Sequence, residues 1–344
     1  MSELVGAGES GRVIADRYAI DRVLGRNATG GRVTYLARDT ETDARVALKE
    51  FQFASGGGWQ GYDAIAREFE ILQAIAIPGV PRYLGSFEGD RAVYLVQEYK
   101  DAPNLAQRIA VSKLDAVAVR KLTGDLLEIL AALQASVPPI LHRDLKPENI
   151  LLSDAGETFL VDFGFARRGV SGDGDGTASS LVRGTLGFMA PEQILNRPLT
   201  LATDLYGLGA TLVCLWTGTP SDRVGDWVDG GFRIAVDRAV PQLPPAEQKW
   251  LAKLVAPEAS ERFASASTAL VAWREIEAKG DGEGAIEPIE PVALAEVWRE
   301  LPVRRLLALA IASGIFASGI DLWWSLSVGV GEAIGEALRS LLAL

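Results

Sequence analysis

The chain has 344 residues and a formal charge of −11, from 34 Lys and Arg against 45 Asp and Glu. That balance lacks the basic face on which non-specific nucleic-acid binding depends. A single cysteine, Cys214, excludes a disulfide within the chain, and with a single histidine no zinc site is credible.

Residues 1–17 read as a loose tail. Their polar, acidic start has neither a basic region nor an apolar stretch, so no secretory signal is expected and the main chain is expected to stay in the cytoplasm. From Tyr18 to Tyr99 short β-rich runs dominate, at Tyr18–Leu24, Val33–Arg38, Arg45–Phe51 and Val93–Tyr99. One helix interrupts them, over about Asp63 to Ile77, with Ile65, Phe69, Leu72 and Ile75 at spacings of three and four. The Gly-rich run Ser55–Gly61 reads as the flexible link into it. From Leu105 the pattern turns helical, with long apolar-rich candidates at Lys121–Leu133 and Asp204–Trp216. Cys214 lies in the second of these and reads as a buried structural thiol. Residues 277–302 combine Gly, Pro and acid and read as a linker, and residues 303–344 form a separate apolar segment.

Phosphoryl transfer is mostly positioning and charge neutralisation, so it needs a phosphate clamp, a held metal and a group that orients the attacking hydroxyl. The run from Leu141 to Leu151 reads LHRDLKPENIL, with Asp144 and Asn149 five residues apart. Thirteen residues past Asn149 stands Asp162-Phe163-Gly164, and Ala190-Pro191-Glu192 comes later. Upstream lie Val46-Ala47-Leu48-Lys49, and Glu68 in the predicted helix. This ordered set resembles the bacterial branch of the eukaryotic-type (Hanks-type) serine/threonine protein kinases, from about Tyr18 to Ile276.

The resemblance implies an α+β, bilobal fold: a small lobe over 18–100 with a five-stranded antiparallel sheet and one helix, a mostly helical large lobe over 101–276, and ATP in the cleft between them. It implies transfer of the γ-phosphoryl group of ATP to Ser or Thr hydroxyls of proteins, this one included. Lys49 would contact the α/β-phosphates and Glu68 would hold it; Asp144 would accept the proton of the substrate hydroxyl, and Lys146 would contact the γ-phosphate. Asn149 and Asp162 offer hard oxygen ligands to Mg²⁺, with Mn²⁺ as a substitute. Ala47 and Leu151 would sandwich the adenine, backbone groups of Glu98 and Lys100 would bond its edge, and Gln97 would stand as gatekeeper. The loop through Gly25, Asn27, Gly30 and Val33 would cover the phosphates and base. Asn27 stands where the family has its second glycine, and Val33 follows one residue late.

By the same resemblance, His142 is a packing residue against Phe163, Asp204 anchors the catalytic-loop backbone, and Glu192 pairs with Arg262. The segment 162–192 carries Thr177, Ser179 and Ser180, whose phosphorylation would recruit Arg143, helped by Arg167 or Arg168. Two other classes are weighed beside the kinase: a nucleotide-binding scaffold without turnover, and a small-molecule phosphotransferase of related fold, against which Lys146-Pro147-Glu148 and the Ala190-Pro191-Glu192 segment speak.

Leu306 to Ile320 are fifteen uncharged residues after Arg304-Arg305, followed by Asp321 and Trp323-Trp324. Fifteen helical residues reach about 23 Å, short of the ~30 Å hydrocarbon core. One reading is attachment to the inner face of the cell membrane, with the Arg pair on the cytoplasmic side and the Trp pair in the interfacial belt. The other is an apolar helical pair that docks on the kinase or forms a homodimer, which Asp321, Glu332 and Glu336 favour. Ser313, Gly314, Ala317 and Ser318 would let two helices approach closely.

Overall fold

The computed structural model describes residues 11–27, 31–52, 59–89, 92–169 and 187–280. In the small lobe, strands β1 (Val13–Ile14), β2 (Tyr18–Asn27), β3 (Arg32–Asp39), β4 (Arg45–Gln52), β5 (Tyr83–Glu88) and β6 (Ala92–Glu98) flank helix α1 (Trp59–Ala74). They form one antiparallel sheet in the order β1-β2-β3-β4-β6-β5. The expected five strands are therefore six. The added strand comes from the stretch read as a loose tail: Val13 pairs with Ala19, Gly11 N–H donates to Ile20 O at 2.9 Å, and Arg17 forks onto Asp39 at 2.8 Å through two nitrogens. Helix α1 also starts inside the run expected to be a flexible link.

Strand alternation divides this sheet into two faces. On one, Val33, Tyr35 and Ala37 of β3 pack with Val46 and Leu48 of β4 and with Tyr94 and Val96 of β6, closed over by Ile14, Tyr18 and Ile20. Tyr18, Phe87 and Tyr94 stack in series at 5.4 and 4.8 Å. The carboxylate of Glu50 is buried there and accepts from Tyr35 at 2.7 Å and Tyr94 at 3.1 Å. A buried charge needs such donors, since an unpaired one would cost several kcal/mol. On the other face, Phe51 and Leu95 meet Ile71, Leu72 and Ile75 of the α1 region in the main core.

The large lobe runs α2 (Leu105–Val111), α3 (Ala116–Gln134), β7 (Ile140–Leu141), β8 (Ile150–Leu152), β9 (Thr158–Leu160), β10 (Arg167–Arg168), α4 (Pro191–Ile194), α5 (Thr203–Thr217), α6 (Val236–Ala239), α7 (Pro245–Leu254) and α8 (Ala266–Gly280). Helix α3 buries Leu122, Leu126, Leu130 and Leu133, a stripe at spacings of four and three. Helix α5 is buried from Thr203 to Trp216 on all sides, as its nearly uninterrupted apolar sequence requires. Gly207 lets α5 lie against the loop that follows β7: a Cβ there would sit 3.1 Å from Leu145. Helix α8 continues past Ile276, where the kinase domain was expected to end. Among the described residues no helix is long and apolar enough to cross a membrane. The apolar segment 303–344 lies outside the described residues, as do most of the linker and the hydroxyl-rich middle of the segment 162–192.

Candidate active site

The loop between β7 and β8 is held by one buried carboxylate. Asp204, near the start of α5, accepts the backbone N–H of His142 at 2.8 Å and of Arg143 at 2.7 Å. Burial pushes its carboxyl up, against the pull of those two bonds. The clamp holds Arg143 at φ 68°, a left-handed conformation that non-glycine residues rarely adopt. Both ring nitrogens of His142 face backbone groups. Nδ1 receives the Asp144 N–H at 3.4 Å, so Nε2 carries the proton and donates to Val161 O at 3.1 Å. The ring meets Phe163 edge-on at 4.8 Å, a packing contact.

Beyond this support, the loop brings Asp144, Lys146 and Asn149 together. Lys146 Nζ lies 2.9 Å from Asp144 Oδ2, and Asn149 Nδ2 donates to both the carbonyl and Oδ2 of Asp144 at 2.8 Å. Asn149 thus uses its amide nitrogen on Asp144. Asp162 follows β9 and also has a left-handed φ, 63°. Lys49 on β4 reaches Glu68 Oε1 on α1 at 3.5 Å and Asp162 Oδ1 at 3.4 Å. Burial alone would raise the Asp162 carboxyl, but Lys49 and Arg32 outweigh it and hold it well below the usual carboxylate range. Two hard oxygens, from Asn149 and Asp162, suit a small divalent ion that keeps much of its water.

Ala47 lies on β4 opposite Gln97 of β6, and Glu98 ends β6. Lys100 follows β6, where its ammonium bonds Glu98 Oε1 at 2.8 Å and sits 4.6 Å from the centre of the Phe159 ring. Phe159 in turn pairs with Leu151 across the β8–β9 hairpin. Gly25 and Asn27 pair with Thr34 and Arg32, whereas Gly30 lies outside the described residues.

Val33 departs from expectation. Its side chain lies in the core of the opposite face, with Tyr35 and Ala37, and does not share a face with Lys49. Opposite Lys49 stands Thr34, and the neighbouring residue on that face is Arg32, opposite Phe51. A strand repeats every two residues, so a surplus of one exchanges its faces. The unbroken pairing of β3 with β4, Thr34 opposite Lys49 and Val33 opposite Glu50, fixes which face each takes. Arg32 was missed in the sequence; its signal was the same one-residue surplus, carried through the alternation. Its guanidinium bonds Glu68 Oε2 at 3.0 Å and Asp162 Oδ1 at 2.9 Å.

Two supporting groups complete the site. Glu192 at the start of α4 forks with Arg262 at 2.8 and 2.9 Å. Arg143 is half-buried, its buried Nε has no partner among the described residues, and burial together with Arg167 lowers its pKa.

Residues 18–226 match the family model described as the protein kinase domain. The chain is 32% identical over 296 residues to serine/threonine-protein kinase D of Synechocystis sp., covering 82% of this chain and 56% of that protein. It is 32% identical over 270 residues to serine/threonine-protein kinase C of the same organism, covering 74% and 49%. Against serine/threonine-protein kinase 1 of Arabidopsis thaliana it is 31% identical over 236 residues, covering 68% and 27%. The chain therefore spans about half the length of the two Synechocystis relatives.

Proposed function

We propose a protein serine/threonine kinase activity, because the chain belongs to the protein kinase family, the match running over residues 18–226. The observation that carries the proposal is Lys49 lying between Glu68 and Asp162, within 3.5 Å of both, across the cleft from Asp144 with Lys146 and Asn149 around it. Lys49, steadied by Glu68, grips the α/β-phosphates. Asp144, oriented by Asn149, takes the hydrogen bond of a Ser or Thr hydroxyl and accepts its proton, while Lys146 neutralises charge on the transferring group. Asn149 and Asp162 would hold Mg²⁺, or Mn²⁺ in its place, which when bound neutralises phosphate charge. The test incubates purified protein with γ-labelled ATP, Mg²⁺ and a general protein substrate, then maps phosphosites. Label on Ser or Thr with wild type and none with Asp144→Asn supports the reading; equal labelling by the two proteins sinks it. ATP binding without turnover would favour a nucleotide-binding scaffold instead.

Regulation by phosphorylation within 162–192 belongs to this reading. Arg143, whose Nε has no partner among the described residues and which feels the charge of Arg167, is a receptor for a phosphate on Thr177, Ser179 or Ser180. Equal initial rates for untreated enzyme, phosphatase-treated enzyme and a Thr177→Ala/Ser179→Ala/Ser180→Ala variant would rule the switch out. The working domain is residues 18–276, and residues 303–344 attach it to the inner membrane face, supported by Arg304-Arg305, the apolar run and Trp323-Trp324. A full-length protein that stays in the supernatant of a high-speed spin would favour docking or a homodimer.

A further inference from the structure

Four charged side chains close a ring between β3, β4, α1 and the start of the 162–192 segment. Arg32 and Lys49 supply two positive charges, and Glu68 and Asp162 two negative ones, so the ring is neutral. Arg32 makes the shorter bonds, 3.0 Å to Glu68 and 2.9 Å to Asp162, where Lys49 stands at 3.5 and 3.4 Å. Both cations meet Asp162 on the same oxygen, Oδ1. The place of the guanidinium is shaped for it. The Phe51 ring lies 4.6 Å from its carbon, and Gly164 supplies no Cβ, which would collide with Arg32 Nη1 and Nη2. A guanidinium with two carboxylates and an aromatic face is directional in a way an ammonium is not.

We propose that Arg32 is a latch on Asp162: without nucleotide it occupies the carboxylate oxygen that a divalent cation needs, and it releases that oxygen when metal and nucleotide enter together. This rests on the reading of Asp162 as a metal-holding residue. An oxygen that already accepts from a guanidinium and an ammonium cannot take a dication without losing a donor, because like charges at hydrogen-bonding range repel strongly in a partly buried site. The latch opens by displacement. Releasing it is a cost that metal binding must overcome, and the metal's contribution to nucleotide affinity is reduced accordingly. Lys49 remains beside Glu68 when Arg32 leaves, so the phosphate grip survives the exchange.

The experiment measures the affinity of the full chain for the fluorescent nucleotide mant-ADP, once in saturating MgCl₂ and once in EDTA. The ratio of the two dissociation constants is compared among wild type, Arg32→Gln, Arg32→Lys and Asp162→Asn, each shown to be folded by circular dichroism and melting. Removal of the latch should raise the Mg²⁺ enhancement about tenfold in Arg32→Gln, the scale of one charge-assisted hydrogen bond. Arg32→Lys should fall between it and wild type, and carries the comparison alone if the glutamine variant does not fold. Asp162→Asn should lose the enhancement. An Arg32 variant whose enhancement equals or falls below that of wild type overturns the latch. Equal weakening of binding in Mg²⁺ and in EDTA would do the same, and would make Arg32 a phosphate ligand. If wild type itself gains nothing from Mg²⁺, the metal reading of Asp162 fails and takes the latch with it; a wild-type gain with unaltered Arg32 variants removes the latch alone.

Discussion

The Arg262–Glu192 pair and the ring around Lys49 are made of the same chemical groups and are built differently. Arg262 uses all five of its N–H donors. Nε donates to Ala256 O at 2.7 Å, Nη1 to Glu192 at 2.8 Å and Ala202 O at 3.0 Å, and Nη2 to Glu192 at 2.9 Å and Pro257 O at 3.0 Å. Its side chain is 0% exposed and that of Glu192 6%, and the Tyr206 ring lies 5.2 Å from the guanidinium carbon. In the ring, by contrast, two cations share each carboxylate, Lys49 is held at 3.4 and 3.5 Å, and Asp162 is 31% exposed. A saturated buried pair has one arrangement and fixes the backbone around it. An oversubscribed, partly wet set can exchange partners with little loss, which is what a site for phosphate and metal requires.

The largest expected effect breaks the saturated pair. Arg262→Ala leaves Glu192 buried without its partner and should cost about 3–5 kcal/mol, because an uncompensated buried charge remains. Chemical denaturation reads this as a lower midpoint at constant slope; a loss below about 1 kcal/mol would mean that the pair does not hold the large lobe. Lys49→Met acts on the other cluster and should reverse the balance of effects. Phosphoryl transfer should slow at least ~10²-fold, about 2.7 kcal/mol of barrier, since charge stabilisation is lost. Its melting temperature should stay within about 2 °C of wild type. A large drop in melting temperature would show that the ring is structural after all.

A third variant sets the scale for an ordinary exposed contact. Asn104 caps α2, accepting from Gln107 N at 2.8 Å while Gln107 Oε1 accepts from Asn104 N at 3.0 Å. Asn104→Ala should cost about 1 kcal/mol and leave kinetics unchanged. An effect as large as that of Arg262→Ala would mean that burial is not what separates the two clusters.

A pH dependence probes the buried surroundings of α5. Burial pushes the Cys214 thiol up from 9.0 to about 12, and the Tyr206 hydroxyl up from 10.0 to about 12. Both groups stay neutral in the fold at pH values where the unfolded chain ionises them, so the native state then binds more protons than the unfolded one. By linkage, the contribution of these two groups to stability should be flat below about pH 9 and fall between about pH 9 and 12. Equilibrium denaturation across that range checks the sign. In parallel, Cys214 should resist alkylation at pH 9 until the protein unfolds; fast labelling of native protein would show that the α5 core is open.

The residues proposed for catalysis were legible as a cluster because the chemistry prescribes residue types at short spacings: Asp144, Lys146 and Asn149 lie within one loop, and the structure brings them into contact. Lys49, Glu68 and Asp162 are far apart in sequence, and the motifs around them carried the expectation that they meet. Less was legible where an element is short or where register decides the outcome. Val13–Ile14 has too few residues to show an alternation, and its pairing depends on the turn at Ala15–Asp16, both held at positive φ. Tyr83–Glu88 is half exposed along its length and has no apolar run to mark it. The face taken by Val33 depends on the register of β3 against β4, which is a property of two strands paired together and cannot be read from either alone.

That register has a consequence for how such a cleft can change over generations. A point substitution in β3 replaces one group on one wall and is graded by size and polarity. A slip of β3 by one residue against β4, as after an insertion or deletion within the strand, would instead change its parity. Val33 and Tyr35 would then be presented where Arg32 and Thr34 now stand, and the ring would lose its second cation in one step. The lineage of this loop is therefore better traced by insertions and deletions than by the identity of any one residue in it. Two chains that differ little in sequence here can present unlike ceilings to a nucleotide or to an inhibitor designed against one of them.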